Sequence, residues 1–221
     1  MQVRPTRRIH SVGTVFRGTF TGAASAPWLR DIAWLAPGRA HAAIVRCSPF
    51  MPPMAGIPGV VCLALRIVDA GGDDQAPEVD QDLLFFAVHR ARAFRLVPAV
   101  RVHADRLLFS TAMSYHVGQP PYDQRVVFGA ELGAGTHLGE GADAYVETVS
   151  ALRGWGGALD LLAAAPRDEW SLAGRVHDLH PYPPPGDVIR FRPGHTTENL
   201  RLSRFGRFRD RLYSRTQNRG G

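Results

Sequence analysis

Residues 60–68, Val60-Val61-Cys62-Leu63-Ala64-Leu65-Arg66-Ile67-Val68, form an apolar run, and Leu83–His89 repeats the pattern beyond the hydrophilic segment Gly71–Val79. Short runs rich in Val, Leu and Phe, bounded by turn formers such as Ala70–Asp74 and Gln119–Asp123, read as β-strands. The same reading gives strands at Val12–Thr21, Ala42–Cys47, Arg106–Ser110, Arg125–Glu131 and Arg175–Leu179. So many short strands in one chain predict an antiparallel barrel or sandwich. Helices are fewer: the sequence predicts them over Tyr145–Leu152, over Ala158–Ala165 and over Thr196–Thr216, the last entered through a polyproline-like connector at Pro181–Pro185. No repeat or second boundary is visible, so residues 1–221 read as a single α+β domain.

Composition bounds the function. Apolar residues make up 45% of the chain and charged residues 21%, the balance of a soluble globular protein. No apolar run approaches the ~20 residues of a membrane-spanning helix. Met1–His10 is charged and no apolar segment follows it, so a cytoplasmic location is the expectation. The two cysteines, Cys47 and Cys62, lie in apolar strands and read as buried thiols. All 26 basic residues are arginine, giving a net charge of +6. A G+C-rich genome accounts for that bias. Arginine nevertheless grips carboxylates and phosphates with a planar fork, which suits either a nucleic acid or the propionates of a buried cofactor.

Three constellations could carry chemistry. His10 is followed by Gly13, Gly18 and Phe20, with Arg7 before it; glycines within a strand mark a bulge or a close approach. By itself this is equally a terminal histidine beside a bulged strand. Arg46 and Ser48 share one face of a strand, because side chains alternate; a strand-end salt bridge explains them as well. Near the C-terminus, seven arginines fall between Arg201 and Arg219. They read as a basic tail, solvated or bound to nucleic acid. Within them Arg209 and Tyr213 are spaced i, i+4 and share a helical face. A neighbouring guanidinium favours the tyrosinate form, a ligand suited to ferric iron. His177 and His180, spaced His-x-x-His, lack further metal ligands nearby.

In this order these elements resemble the haem catalase superfamily, especially its short catalase-related members. Arg7-x-x-His10-x-x-Gly13 is similar to the family's Arg-x-x-His-x-x-Gly on the distal side. Gly18 and Phe20 follow at matching offsets, and Arg46-Cys47-Ser48 resembles Arg-Phe-Ser. Gly59–Arg66 is similar to the Gly-Phe-Ala-x-Lys strand, and Asp82-Leu83 precedes the distal loop. Arg209-x-x-x-Tyr213-x-x-Thr216-Gln217 resembles Arg-x-x-x-Tyr-x-x-Thr-His of the proximal helix. Between about residues 100 and 195 the match is loose.

The resemblance implies a catalase-like antiparallel β-barrel enclosing haem, of b type, with a C-terminal helix carrying the proximal tyrosine. Tyr213 is then the iron ligand, with Arg209 holding its charge. His10 is the distal acid–base, oriented by Ser48. Arg7 and Arg46 pair with haem propionates, and Phe94 packs on the porphyrin. The implied activity is cleavage of the O–O bond of hydrogen peroxide or an organic, lipid-like hydroperoxide. Two departures stand out: counting from Asp82 puts Ala87 where catalases place an asparagine, and Gln217 replaces a histidine. Both favour a peroxidase with an organic co-substrate over peroxide disproportionation. The alternatives are a haem-binding or sensing protein with little turnover, and a basic β-barrel that binds nucleic acid. The expected partners are peroxide, an organic co-substrate and a second copy in a homodimer, with no membrane span and no nucleic acid.

Overall fold

The computed structural model describes residues 13–51, 60–70, 80–88, 108–111, 113–121, 123–133, 144–154, 157–165, 167–182, 189, 191–192, 194–197, 199–204, 206–208 and 210–211. The strands are β1 (Thr14–Gly22), β2 (Ala40–Met51), β3 (Val60–Ile67), β4 (Gln81–Val88), β5 (Leu108–Thr111), β6 (Tyr115–Val117), β7 (Gln124–Leu132), β8 (Leu159–Ala164), β9 (Ser171–Pro181) and β10 (Leu200–Leu202). One helix, α1, spans Ala144–Arg153. Every pairing is antiparallel, and the order β1-β2-β3-β4-β5-β7-β8-β9 returns to β1, closing an eight-stranded barrel. β6 pairs with the first part of β7, and β10 with β6, so these two short strands form a flap on the barrel wall.

Alternation decides which side chains fill the lumen. Phe16 and Phe20 of β1, Val45 and Cys47 of β2, Leu63 and Leu65 of β3, and Leu83 and Phe85 of β4 enter one apolar core. Phe109 and Phe128 face them from the other side, and Trp34, held in a short 3-10 turn at Ala33–Leu35, packs edge-on to Phe20 at 5.6 Å. Eight strands make a barrel just wide enough for side chains to fill it. Among the described residues, aromatic and branched side chains occupy the lumen.

Two helical expectations are corrected. Residues 159–164 form strand β8, not a helix; Leu159, Leu161 and Ala163 point to the core while β7 and β9 take up the backbone hydrogen bonds on both sides. The last helix starts later than Thr196, because Leu200 and Leu202 are drawn to the core as β10. Among the described residues the helical ones are 204, 206–208 and 210–211. Ser203 caps them: its Oγ accepts from Gly206 N at 3.1 Å, and Arg207 N closes the first turn on Ser203 O at 2.9 Å. Such a cap contributes about 1 kcal/mol.

The glycine reading of β1 holds at Gly18. The β1–β9 register shifts between Arg17 and Thr19, and a Cβ at Gly18 would stand 2.6 Å from His177 O. The bulge therefore needs a residue without a side chain.

Candidate functional site

Of the residues singled out in the sequence, Arg46 and Ser48 are described; Arg7, His10, Phe94, Arg209 and Tyr213 lie outside the described residues. The shared face expected of Arg46 and Ser48 is present, and it is the outer face of the barrel, since Val45 and Cys47 turn inward. Cross-strand register sets their neighbours. One row runs Val15–Arg46–Ala64–Leu84 across β1 to β4, and the next runs Ser48–Cys62–Phe86–Ser110 across β2 to β5. Val15, Cys62 and Leu84 are at most 8% exposed although they point away from the core. Along these two rows the outer wall of β1–β4 is thus an apolar face with Arg46 and Ser48 set in it.

Gly13 lies against this pair. A Cβ there would meet Cys47 O at 2.8 Å, Arg46 Nε at 3.0 Å and the Ser48 side chain at 3.1 Å. Only a glycine lets the chain lie this close to the Arg46–Ser48 corner. His10 precedes it by three positions in the sequence.

The neighbouring row, Ile44–Arg66–Asp82, holds a buried ion pair. Asp82 is fully buried and takes a bidentate grip from Arg66, Nε to Oδ1 and Nη2 to Oδ2, both 2.8 Å. The carboxylate raises the Arg66 pKa further above its ordinary value. Phe191 lies beneath the guanidinium, 5.4 Å from its centroid. Asp82 Oδ2 also accepts from Arg192 N at 2.6 Å, and His195 Nδ1 stands 3.6 Å away. Gln81 adds hydrogen bonds with His195 O and Thr197 N. Gly194 N then donates to Asp210 Oδ1 at 3.1 Å. A chain of contacts therefore ties the C-terminal helix, through residues 191–197, to the rim of the outer face. Sequence reading named Asp82 within a motif and missed this anchoring role; the signal was a charge at the head of an otherwise apolar strand.

Ala87 points into the lumen, opposite Phe109. A side chain at this position cannot reach the outer face of Ser48 and Phe86. His177 is engaged by Thr21 Oγ1 at 2.9 Å and Asp178 Oδ2 at 2.8 Å, and His180 by Asp178 O at 3.1 Å. Among the described residues no group of three His, Cys, Asp or Glu side chains is placed to hold a metal ion. No described helix is long and apolar enough to cross a membrane.

Both cysteines are free and buried, as the sequence implied. Burial, with Cys47 nearby, pushes the Cys62 thiol well above its ordinary value of 9.0. Burial likewise raises Tyr115, helped by the negative charges of Asp82 and Asp210. Both groups hold their protons more firmly folded than unfolded. Stability is therefore intact below pH ~9 and falls as pH rises above the unfolded values. Melting temperatures are expected to drop between pH 9 and 11, with a shallower slope in Cys62→Ala and in Tyr115→Phe. An unchanged slope in both variants would show that these groups titrate alike in the two states.

No family model and no curated protein matches the sequence. The fold is similar to solved structures. A fungal catalase matches with a TM-score of 0.57 and 12% identity, over 95% of this chain and 57% of that one. A bacterial catalase matches with a TM-score of 0.55 and 13% identity, over 95% of this chain and 56% of that one. The chain has a catalase-like fold and spans a little over half the length of the catalase structures it matches.

Proposed function

We propose that the chain is a haem-dependent peroxidase whose cofactor lies on the outer face of β1–β4, between that wall and the C-terminal helix. The observation that carries this reading is the Val15–Arg46–Ala64–Leu84 row with Ser48 beside it. A flat macrocycle with two carboxylate arms is suited by an apolar wall, a cation at the rim and a side-chain donor to iron. Val15, Ala64, Leu84 and Phe86 supply the wall and Arg46 the cation. Tyr213 is the donor in this reading, on the strength of the Arg209-x-x-x-Tyr213 motif in the sequence. Its partner at i−4, Arg209, favours the phenolate.

When bound, haem supplies a ferric Lewis acid able to exchange electrons with a peroxide. The chain's own residues do the rest. Arg7 and Arg46 hold the propionates, and Phe94 packs on the ring. His10 takes the proton from the near oxygen of a hydroperoxide and returns it to the far oxygen, so that the departing group leaves as water or alcohol. Ser48 orients the imidazole. Ala87 is turned into the lumen, away from this wall, so the preference for an organic reductant or lipid-like hydroperoxide over disproportionation rests on the resemblance and not on a contact at this position.

Titration of the purified protein with haemin tests the site. One equivalent is expected to bind with a Soret band, and Leu84→Arg, on the outer face, is expected to block uptake. A wild-type protein that folds but takes up no haemin overturns the reading.

A further inference from the structure

The positive charge gathers on a part of the surface that the proposed haem site does not use. His116 is paired across strands with Arg125 and with Arg201, so three basic side chains stand in one row over β7, β6 and β10. Alternation turns them outward, because Tyr115, Val117, Val126, Leu200 and Leu202 take the core positions. The row leads into the C-terminal helix. Arg125 Nε donates to Ser114 Oγ at 3.0 Å, and Ser114 Oγ is 3.0 Å from Oγ of the capping Ser203. On that helix Arg204, Arg207, Phe208 and Arg211 are all exposed and share a face at spacings of three, four and seven, with Phe208 60% exposed. Gly206, on the opposite side, is buried, and Asp210 is turned toward Gly194.

Among the described residues of this band the carboxylate between the strands is Asp123. It accepts from Arg201 at 3.0 Å and lies 2.9 Å from His116, fixing both side chains in the row. Arg201 Nε is buried with no hydrogen-bond partner.

We propose that this band binds single-stranded nucleic acid, with the arginines on successive phosphates and Phe208 stacked on a base. The helical part is about 10 Å long and the three strands add about 10 Å. That matches a line of charges better than one small anion. Planar guanidinium forks suit phosphate oxygens. One exposed aromatic among cations is a stacking platform. It offers too little apolar area to sink into a bilayer, where a whole helix face must be buried. The sequence alone gave no expectation of a nucleic-acid partner. The folded surface brings Arg125 and His116 alongside Arg201 and the helix that follows it, which the linear order does not display.

The test is fluorescence anisotropy of the full chain with a fluorescein-labelled oligothymidylate of about 16 nucleotides. Binding is expected to weaken steeply with salt, with a log–log slope of roughly −2 to −3 for three or four neutralised phosphates. Phe208→Ala is expected to cost about tenfold in Kd, and Arg204→Glu with Arg211→Glu roughly a hundredfold or more. Arg17→Gln and Arg30→Gln, exposed on other parts of the barrel, are expected to bind as wild type. No binding at low salt overturns the proposal. So does a Phe208→Ala protein of wild-type affinity, displaced equally well by heparin, or a stronger affinity for anionic lipid vesicles than for the oligonucleotide.

Discussion

A His10→Ala protein is expected to take up haemin as wild type does and to consume peroxide about 100- to 10,000-fold more slowly. That range is the usual contribution of one positioned general acid–base group. The expectation follows from a division of labour in the proposed site. The outer wall around Arg46 and Ala64 binds, the C-terminal helix ligates, and the imidazole moves the proton. Removing the imidazole leaves binding intact. Tyr213→Phe is expected to act on the other term: the ferric spectrum changes because the phenolate is lost, and haemin binds more weakly. Stopped-flow peroxide consumption alongside the absorption spectrum separates the two. If His10→Ala turns over like wild type while Tyr213→Phe alters the spectrum, the chain is a haem-binding or sensing protein without acid–base turnover.

The second large effect is on stability. Asp82→Ala is expected to cost about 3–5 kcal/mol, the usual penalty for leaving one half of a buried ion pair behind. For a chain of this size that is a fall of roughly 6–20 °C in melting temperature. Asp82 is fully buried and holds two nitrogens of Arg66 and the amide of Arg192. Its loss replaces the bidentate grip on Arg66 with the longer contact to Asp80, at 3.4 Å, and removes the tie between Arg192 N and the barrel. Replacing both partners with apolar residues, Arg66→Met with Asp82→Leu, is expected to recover part of the loss, since no charge is then stranded. Urea melts of the three proteins decide it. A single variant within about 1 kcal/mol of wild type would show that the pair is ornamental. Because Asp210 receives Gly194 N, the same variant is also expected to loosen the helix and weaken haemin binding.

Much of the barrel was legible because its strands are short runs rich in Val, Leu and Phe, bounded by turn formers. β8 was not. Leu159-Asp160-Leu161-Leu162-Ala163-Ala164 is built of good helix formers, and its strand conformation comes from the neighbours on both edges, which local propensity does not record. β6 and β10 are three residues each, too short to show a period. At the site, the shared face of Arg46 and Ser48 followed from alternation alone. Which face was inside did not, because that depends on how the strands close. The same gap explains Ala87: its parity with Leu83 and Phe85 was readable, but its orientation into the lumen required the closed barrel. Arg66 and Asp82 are on adjacent strands and were seen only as parts of separate motifs.

A strand in a closed, filled barrel leads two chemical lives on one backbone. Along β2, Val45 and Cys47 are held to a fixed volume by everything they touch in the lumen, whereas Arg46 and Ser48 answer only to whatever lies on the wall outside. The two sets can drift independently over evolutionary time. Inward positions need only conserve size and apolarity, and outward positions can be rewritten without unsettling the scaffold. The same independence is compatible with a likeness of fold over 95% of the chain at only 12–13% identity to the catalase structures. In the proposed site, Val15, Ala64, Leu84 and Phe86 are then the positions whose change would alter what the wall binds while leaving the lumen packing in place.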